Sequence, residues 1–267
     1  MLLPRVISAV VMAALFVCAV FFLDELGFML FVGAVLVVAA WEWARLSGVK
    51  TQQTRIAFAG MVGTFSYGVA IFNLQRDMLW IAPVLWVIAL YWVYSYPTEK
   101  SWKGTFVRLL FGLSALLTTW CALVVLKQSP HFLIYLFILM GLVWGADSGA
   151  YCFGRLFGKR KLARYVSPGK SWEGVIGGVV FTQFGMFAYG LLQALVWQQM
   201  ILLAFIALIT VAVSVLGDLT ESLFKRHEDL KDSSHLIPGH GGVMDRVDSI
   251  TSSASIFVLL LIAFGLL

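Results

Sequence analysis

The chain has 267 residues, of which 61% are hydrophobic and 12% charged, with a net charge of +5. Soluble domains carry about 25% charged residues, so a soluble globular enzyme is excluded and an integral membrane protein is indicated. The positive balance does not point to nucleic acid, because basic residues gather on the cytoplasmic side of any polytopic protein.

A membrane-crossing helix needs about 20 apolar residues. Nine runs qualify: 6–23, 26–41, 56–72, 79–96, 107–126, 132–153, 174–197, 199–217 and 251–267. The first follows Arg5, is long for a signal h-region and lacks a small-residue cleavage site, so it reads as an uncleaved helix. Asp24-Glu25 makes a tight turn, and Gln198-Gln199 alone separates the seventh run from the eighth. There is no internal repeat and no low-complexity linker. The expectation is one all-α integral membrane domain, 1–267, a polytopic helical bundle. Residues 1–130 supply its N-terminal helices and 131–267 a C-terminal catalytic half.

With the N-terminus inside, seventeen of the nineteen Lys and Arg fall in cytoplasmic segments, leaving only Arg76 and Lys127 outside. That is the positive-inside pattern. It places two long polar loops, 154–173 and 218–250, in the cytoplasm. Gly141, Gly145 and Gly149, and then Gly174 and Gly178, recur four residues apart, a spacing that lets helix backbones approach. Packing within the bundle is the reading taken, with a homodimer face as the alternative. Cys18, Cys121 and Cys152 are scattered and have no metal spacing.

Residues 222–248 break the apolar pattern with four basic groups, five carboxylates and three histidines. Ionisable groups kept inside a membrane protein mark function. If the eighth helix continues past Asp218, then Glu221, Ser222 and Lys225 follow on the same stripe. Such a stripe suits a cation with a phosphate beside it, or else an amphipathic helix with internal salt bridges. Pro238-Gly239-His240-Gly241-Gly242 forces a turn whose backbone amides can cradle phosphate. Asp245 and Asp248 are i, i+3 neighbours if a helix begins there, a placement that can hold a divalent metal. It also suits a helix N-terminus electrostatically. Arg246 points elsewhere, toward a phosphate or a lipid headgroup. Asp147 and Asp218 stand at the ends of their helices that meet the same face. In the other loop, Ser167-Pro168-Gly169-Lys170-Ser171 is not a P-loop: Arg164 stands where the first glycine belongs and no strand is expected before it. It reads as a basic lid over nucleotide phosphates, or as an anionic-lipid contact. His131, His227 and His235 lack ligand spacing, and only glycine-flanked His240 is assigned to a site.

Ser222-Leu223-Phe224-Lys225-Arg226, then Lys231-Asp232-Ser233-Ser234, then 237–248 without a gap, resembles the signature of the phosphatidate cytidylyltransferases. The stretches 144–151, 167–174 and 214–222 are similar to that family too, as is Ala40-Trp41-Glu42-Trp43 to its bacterial members. The resemblance implies that CTP and phosphatidic acid give CDP-diacylglycerol and pyrophosphate at a bacterial inner membrane, with magnesium and, in some members, potassium. It implies a site facing the cytoplasm. Magnesium is assigned to Asp245 with Asp218 or Asp248. Lys225, Arg226, Lys231 and Arg246 are assigned to phosphates, with Lys170 closing from the other loop. Asp147, Ser167, Ser222, His240, Gly241 and Gly242 are expected to bind substrate. Two rivals remain. A cation-coupled transporter would use Asp147 and Asp218 as a relay. A CTP-dependent lipid kinase of the dolichol-kinase type would release CDP.

Overall fold

Backbone in lipid must satisfy its own hydrogen bonds, and in the computed structural model nearly every apolar run does so as helix. It describes residues 3–98 and 100–267. In chain order come α1 (Leu3–Phe22), α2 (Glu25–Leu46), α3 (Gln52–Ile71), the single turn α4 (Gln75–Met78), α5 (Ile81–Ser95), α6 (Thr105–Lys127) and α7 (Phe132–Phe157). A two-stranded hairpin follows, β1 (Lys161–Ala163) and β2 (Ser167–Ser171), then α8 (Trp172–Leu192), α9 (Trp197–His227) and α10 (Met244–Ala263). The expected all-α polytopic bundle is what forms, and the chain is a multi-pass membrane protein.

Among the described residues, eight stretches are long and apolar enough to cross a membrane, with α4 and α5 together forming one, Gln75–Ser95. The ninth long helix, α3, opens on Gln52, Gln53 and Arg55 and is not among them. Its neighbours show that it makes the traverse all the same. Arg108, near the start of α6, donates from Nη1 to the carbonyl of Leu46 at the end of α2, at 3.1 Å. Trp43 of α2 and Trp92 of α5 both pack on Phe224 of α9, with ring centroids 5.3 and 6.4 Å apart. The ends of α2 and α5 therefore meet at one end of the bundle, and α3 must leave that end for α5 to return to it.

Two expectations need correction. The break before α9 falls at 193–196, earlier than Gln198-Gln199. The amides of Gln193, Ala194 and Leu195 turn back to the last carbonyls of α8, with Ala194 at φ 50°. Gln199 lies inside α9, where its side chain accepts the Val196 amide at 3.2 Å and so helps to start the helix. The second correction is the hairpin at 161–171, where only loop was expected. It holds three and five residues and leads straight into α8, whose Gly174 amide Ser171 Oγ caps at 3.2 Å. The absence of a P-loop stands, since Arg164 is unchanged and an antiparallel hairpin is no βαβ unit.

The spaced glycines are used inside the chain. A methyl group on Gly149 would meet Gly178 Cα at 2.9 Å, and one on Gly178 would meet the Ala146 carbonyl at 2.6 Å. Gly174 sits equally close to Ala150. Thus α7 and α8 touch backbone to backbone, and of the five glycines only Gly141 has open space beside it. Gly178→Leu should force the pair apart at a cost of about 1–3 kcal/mol, as overpacked interfaces do. Thermal unfolding of the detergent-solubilised protein would show it as a lowered midpoint, whereas Gly141→Leu should leave the midpoint in place.

Candidate active site

Helix α9 has 31 residues, about 46 Å at 1.5 Å per residue, against a hydrocarbon core of about 30 Å. Its last three turns therefore extend the span into the polar end of the bundle, and they carry Asp218, Glu221, Ser222, Lys225 and Arg226. Helix α10 starts at Met244, so Asp245 stands in its first turn and Asp248 one turn on. The two helices are forced close at Gly217, where an added methyl would strike Ser252 Oγ and come within 2.9 Å of the Asp248 carbonyl. Asp248 is accordingly within electrostatic range of Asp218 and Lys170.

The stripe expected on α9 divides between two partners. Asp218 pairs with Lys170 of β2, Nζ to Oδ2 at 2.6 Å, and accepts Ser222 Oγ at 3.3 Å. Lys225 turns the other way and bridges Glu221 at 2.5 Å and Asp245 at 3.0 Å. Asp147 of α7 lines a cavity of about 360 Å³ with Tyr151, Arg155, Lys170 and Ser171, in range of both Lys170 and Asp218. Arg226 is exposed and donates to the Val166 carbonyl at 3.4 Å, tying α9 to the hairpin that bears Ser167. Lys231 is exposed at the rim.

The glycine turn is closed on itself. The amides of His240 and Gly241 donate to the Ile237 carbonyl, the Gly242 amide goes to Asp245 Oδ2 at 2.8 Å, and Gly241 adopts φ 87°. Arg246 donates from Nε and Nη2 to the His240 carbonyl at 3.2 and 2.9 Å. Asp245 also accepts the Ser233 amide at 2.9 Å and faces Ser233 Oγ at 3.0 Å. Both its oxygens are engaged by the loop and by Lys225, so a metal ligated there would displace one of these donors.

The sequence pattern did not reveal what holds the loop in place. Glu42, in the last turns of α2, is fully buried, and no ion pair to it forms among the described residues. It accepts the amides of Val243 and Met244 at 3.0 and 2.6 Å and the Ser234 hydroxyl at 2.5 Å, and Ser233 Oγ lies 3.1 Å away. A hydroxyl has one proton, so Ser233 bridges Glu42 and Asp245 by donating to one of them. Glu42 thereby caps α10 from outside, supplying acceptors for amides that a helix start leaves orphaned. Arg45, one turn on, donates to the Ser233 carbonyl at 2.8 Å. Gly242 must be glycine, since a side chain there would strike Ser233 Oγ and Glu42. One signal was available, a carboxylate near the end of an apolar span, but α2 was expected to stop at residue 41, one short of it.

Asp147, Asp218, Glu221, Asp245 and Asp248 thus gather around two ammonium groups, those of Lys170 and Lys225. Glu221 is 1% exposed, with Lys225 beside Oε2 as its ion-pair partner, and its Oε1 meets no donor among the described residues. Buried carboxylate oxygens in excess of donors are what a hard cation requires, although no ready-made group of three ligands stands together among the described residues.

This is the polar end of a helical membrane protein, where carboxylates from α7, α9 and α10 meet basic side chains from the hairpin and α9. A family model described as "Cytidylyltransferase family" matches residues 3–264. The chain is 45% identical to the phosphatidate cytidylyltransferase of Pseudomonas aeruginosa over 269 residues, covering 99% of this chain and 98% of that protein. It is 41% identical to that of Haemophilus influenzae, covering 96% and 97%, and 33% identical to that of Brucella suis, covering 96% and 91%. The chain belongs to the cytidylyltransferase family.

Glu42→Ala removes the acceptor of two amides and of the Ser234 hydroxyl at once. Donors to a charged acceptor are worth about 1.5–3 kcal/mol each, so the loop 233–244 should lose its order while the bundle stays folded. Hydrogen–deuterium exchange should show its amides exchanging at least about tenfold faster, with those of α6 and α7 unaffected.

Proposed function

We propose that the chain transfers the cytidylyl group of CTP to phosphatidic acid, giving CDP-diacylglycerol and pyrophosphate, at the cytoplasmic face of a bacterial inner membrane. The names of its full-length relatives support this reading. The observation that carries it is the Lys170–Asp218 pair at 2.6 Å, which joins the hairpin to the α9–α10 carboxylates beside the Asp147 cavity.

The reaction needs no protein nucleophile. A phosphate oxygen of phosphatidate attacks the α-phosphorus of CTP. The bond from that phosphorus to its bridging oxygen breaks, and the oxygen leaves with its electron pair on pyrophosphate. Two anions must therefore meet, and the work of the protein is charge neutralisation and in-line alignment. Lys170, held by Asp218, presents its ammonium to the nucleotide phosphates, with Asp147, Ser167 and Ser222 around it. Arg226 and Lys231, exposed at the rim, receive the pyrophosphate. Lys225 is fixed between Glu221 and Asp245 and positions both carboxylates. His240, Gly241 and Gly242 shape the turn whose His240 carbonyl orients Arg246 of α10 for the lipid phosphate.

The excess of carboxylates over ammonium groups suits magnesium, whose binding would displace Lys170 or a loop donor from them. Asp218 and Asp248, with Asp245 beside them, would hold it, and it would supply Lewis-acid polarisation of phosphoryl oxygens. Potassium, as a second cation, would be held at Glu221. Four of the five glycines that suggested a homodimer are occupied by the α7–α8 contact, so a dimer would use another surface.

Incorporation of radiolabelled CTP into lipid, with pyrophosphate as the by-product, is the direct test; release of CDP would identify a kinase instead. Asp218→Asn and Asp245→Asn should each lower kcat by about 100-fold or more while the protein stays inserted and helical. EDTA should abolish turnover and magnesium restore it. Wild-type turnover in either variant would remove that carboxylate from the site.

A further inference from the structure

Helix α1 stands off from the bundle. Only Ala19 and Val20, near its far end, are buried. At its near end it is tied to the glycine turn, with Ser8 Oγ 2.7 Å from His240 Nδ1 and donating to the Pro238 carbonyl at 3.0 Å. Along α1, past the first tie and toward the second, runs a cavity of about 780 Å³, with Val11 and Met12 of α1 on one wall and Phe31 and Val35 of α2 with Val247 of α10 on the other. Its one charged lining residue is Arg246, at the polar end. The stem of Arg5 lies against Gly239 at the same mouth.

We infer that this groove is the acyl-chain site for the phosphatidate substrate, with the lipid phosphate at Arg246; the inference rests on the function proposed above. Three observations converge. The groove follows α1 from Leu3 to Phe16, about 20 Å at 1.5 Å per residue, while one leaflet of the hydrocarbon core is about 15 Å deep. It is therefore as long as a lipid tail and lies in the leaflet next to the site. Its apolar walls end at the Arg246 guanidinium, which matches a diacyl phosphate in charge. Its position also suits delivery of the lipid to the site. Val243, Arg246 and Val247 share one face at the start of α10, by i, i+3 and i+4 spacing, while Asp245 and Asp248 project from its opposite side. A phosphate at Arg246 is then one helix width from the carboxylates, about 10 Å, so the headgroup moves round the start of α10 before it attacks, and the tail needs no path through the bundle. The other large apolar groove, about 480 Å³ between α7 and α8, has no charged lining residue. It gives an anionic lipid nothing to recognise.

The test uses the full-length protein in phosphatidylcholine vesicles, with phosphatidate carrying a diazirine in one acyl chain. Photolysis and peptide mapping should place adducts on 6–16 and 31–35. They should exceed roughly tenfold those from phosphatidylcholine bearing the same tail, and Arg246→Gln should erase that excess. Equal labelling by the two lipids, or adducts concentrated on 133–142 and 181–189, would overturn the assignment. In a kinetic arm, Met12→Trp fills the groove. The KM for dioleoyl phosphatidate should rise roughly tenfold relative to that for the dihexanoyl form, and an unchanged ratio counts against the groove. A wild-type chain that forms no CDP-diacylglycerol would defeat the proposed reaction, whereas the labelling pattern reads the groove alone.

Discussion

A carboxylate sealed from water without a cation is among the more expensive things a fold can contain, and the polar end of this protein is built on one. Among the described residues Glu42 is held by donors from a segment some two hundred residues later in the chain, the Ser233–Ser234 pair and the amides at the start of α10. Neither partner is satisfied alone. Without the loop, Glu42 would lose the donors that hold its charge; without Glu42, the start of α10 would have orphaned amides and the loop no anchor. Because Asp245 and Asp248 ride on the first two turns of α10, their positions follow from this contact. The N-terminal helices are therefore part of the site and not merely its anchor.

A second constraint brings α9 and α10 together. Gly217 removes the side chain that would separate them, and the facing side of α10 is small and polar: Ser249, Ser252, Ser253 and Ser255 are all buried. The hydroxyls of Ser252, Ser253 and Ser255 return to carbonyls three or four residues back. That arrangement satisfies them without partners on α9 and leaves the interface thin, so Asp218 and Asp248 can approach each other. Across the bundle, buried Arg108 pairs with Glu228 at 2.6 Å just beyond the end of α9, and also reaches Leu46 at the end of α2. It fixes the projecting end of α9 against the same helix that carries Glu42.

These constraints divide the polar end into compartments. On one side of α10 carboxylates outnumber ammonium groups, which favours bound cations and, through them, phosphates. On its other side the wall is apolar and opens along α1. A nucleotide from water and a phosphate on a lipid tail differ in solubility more than in reacting chemistry, and a helix with one polar and one apolar face can serve both. The hairpin that carries Lys170 closes the polar compartment from the α7–α8 side, where glycine-to-glycine contact holds its two flanking helices together.

The amino-acid sequence by itself determined the class of protein and most of the map. Apolar run length marked the long helices, because lipid permits no other backbone solution for such runs, and basic residues marked the polar end. The dense 222–248 segment with its family likeness named the chemistry. Short-range periodicity also placed Asp218, Glu221, Ser222 and Lys225 on one continuous helix, as α9 has them. Only the tertiary structure decided which charges pair. Lys225 is i+4 from Glu221 and twenty residues from Asp245 and binds both, while Asp218 reaches Lys170 of the hairpin. Those choices depend on the α9–α10 approach at Gly217 and on a hairpin too short to leave a periodic signal. The role of Glu42 was hidden for the same reason. A single carboxylate at the end of an apolar run could be facing water, and it became a buried anchor only when the loop that begins at Ser233 folded over it.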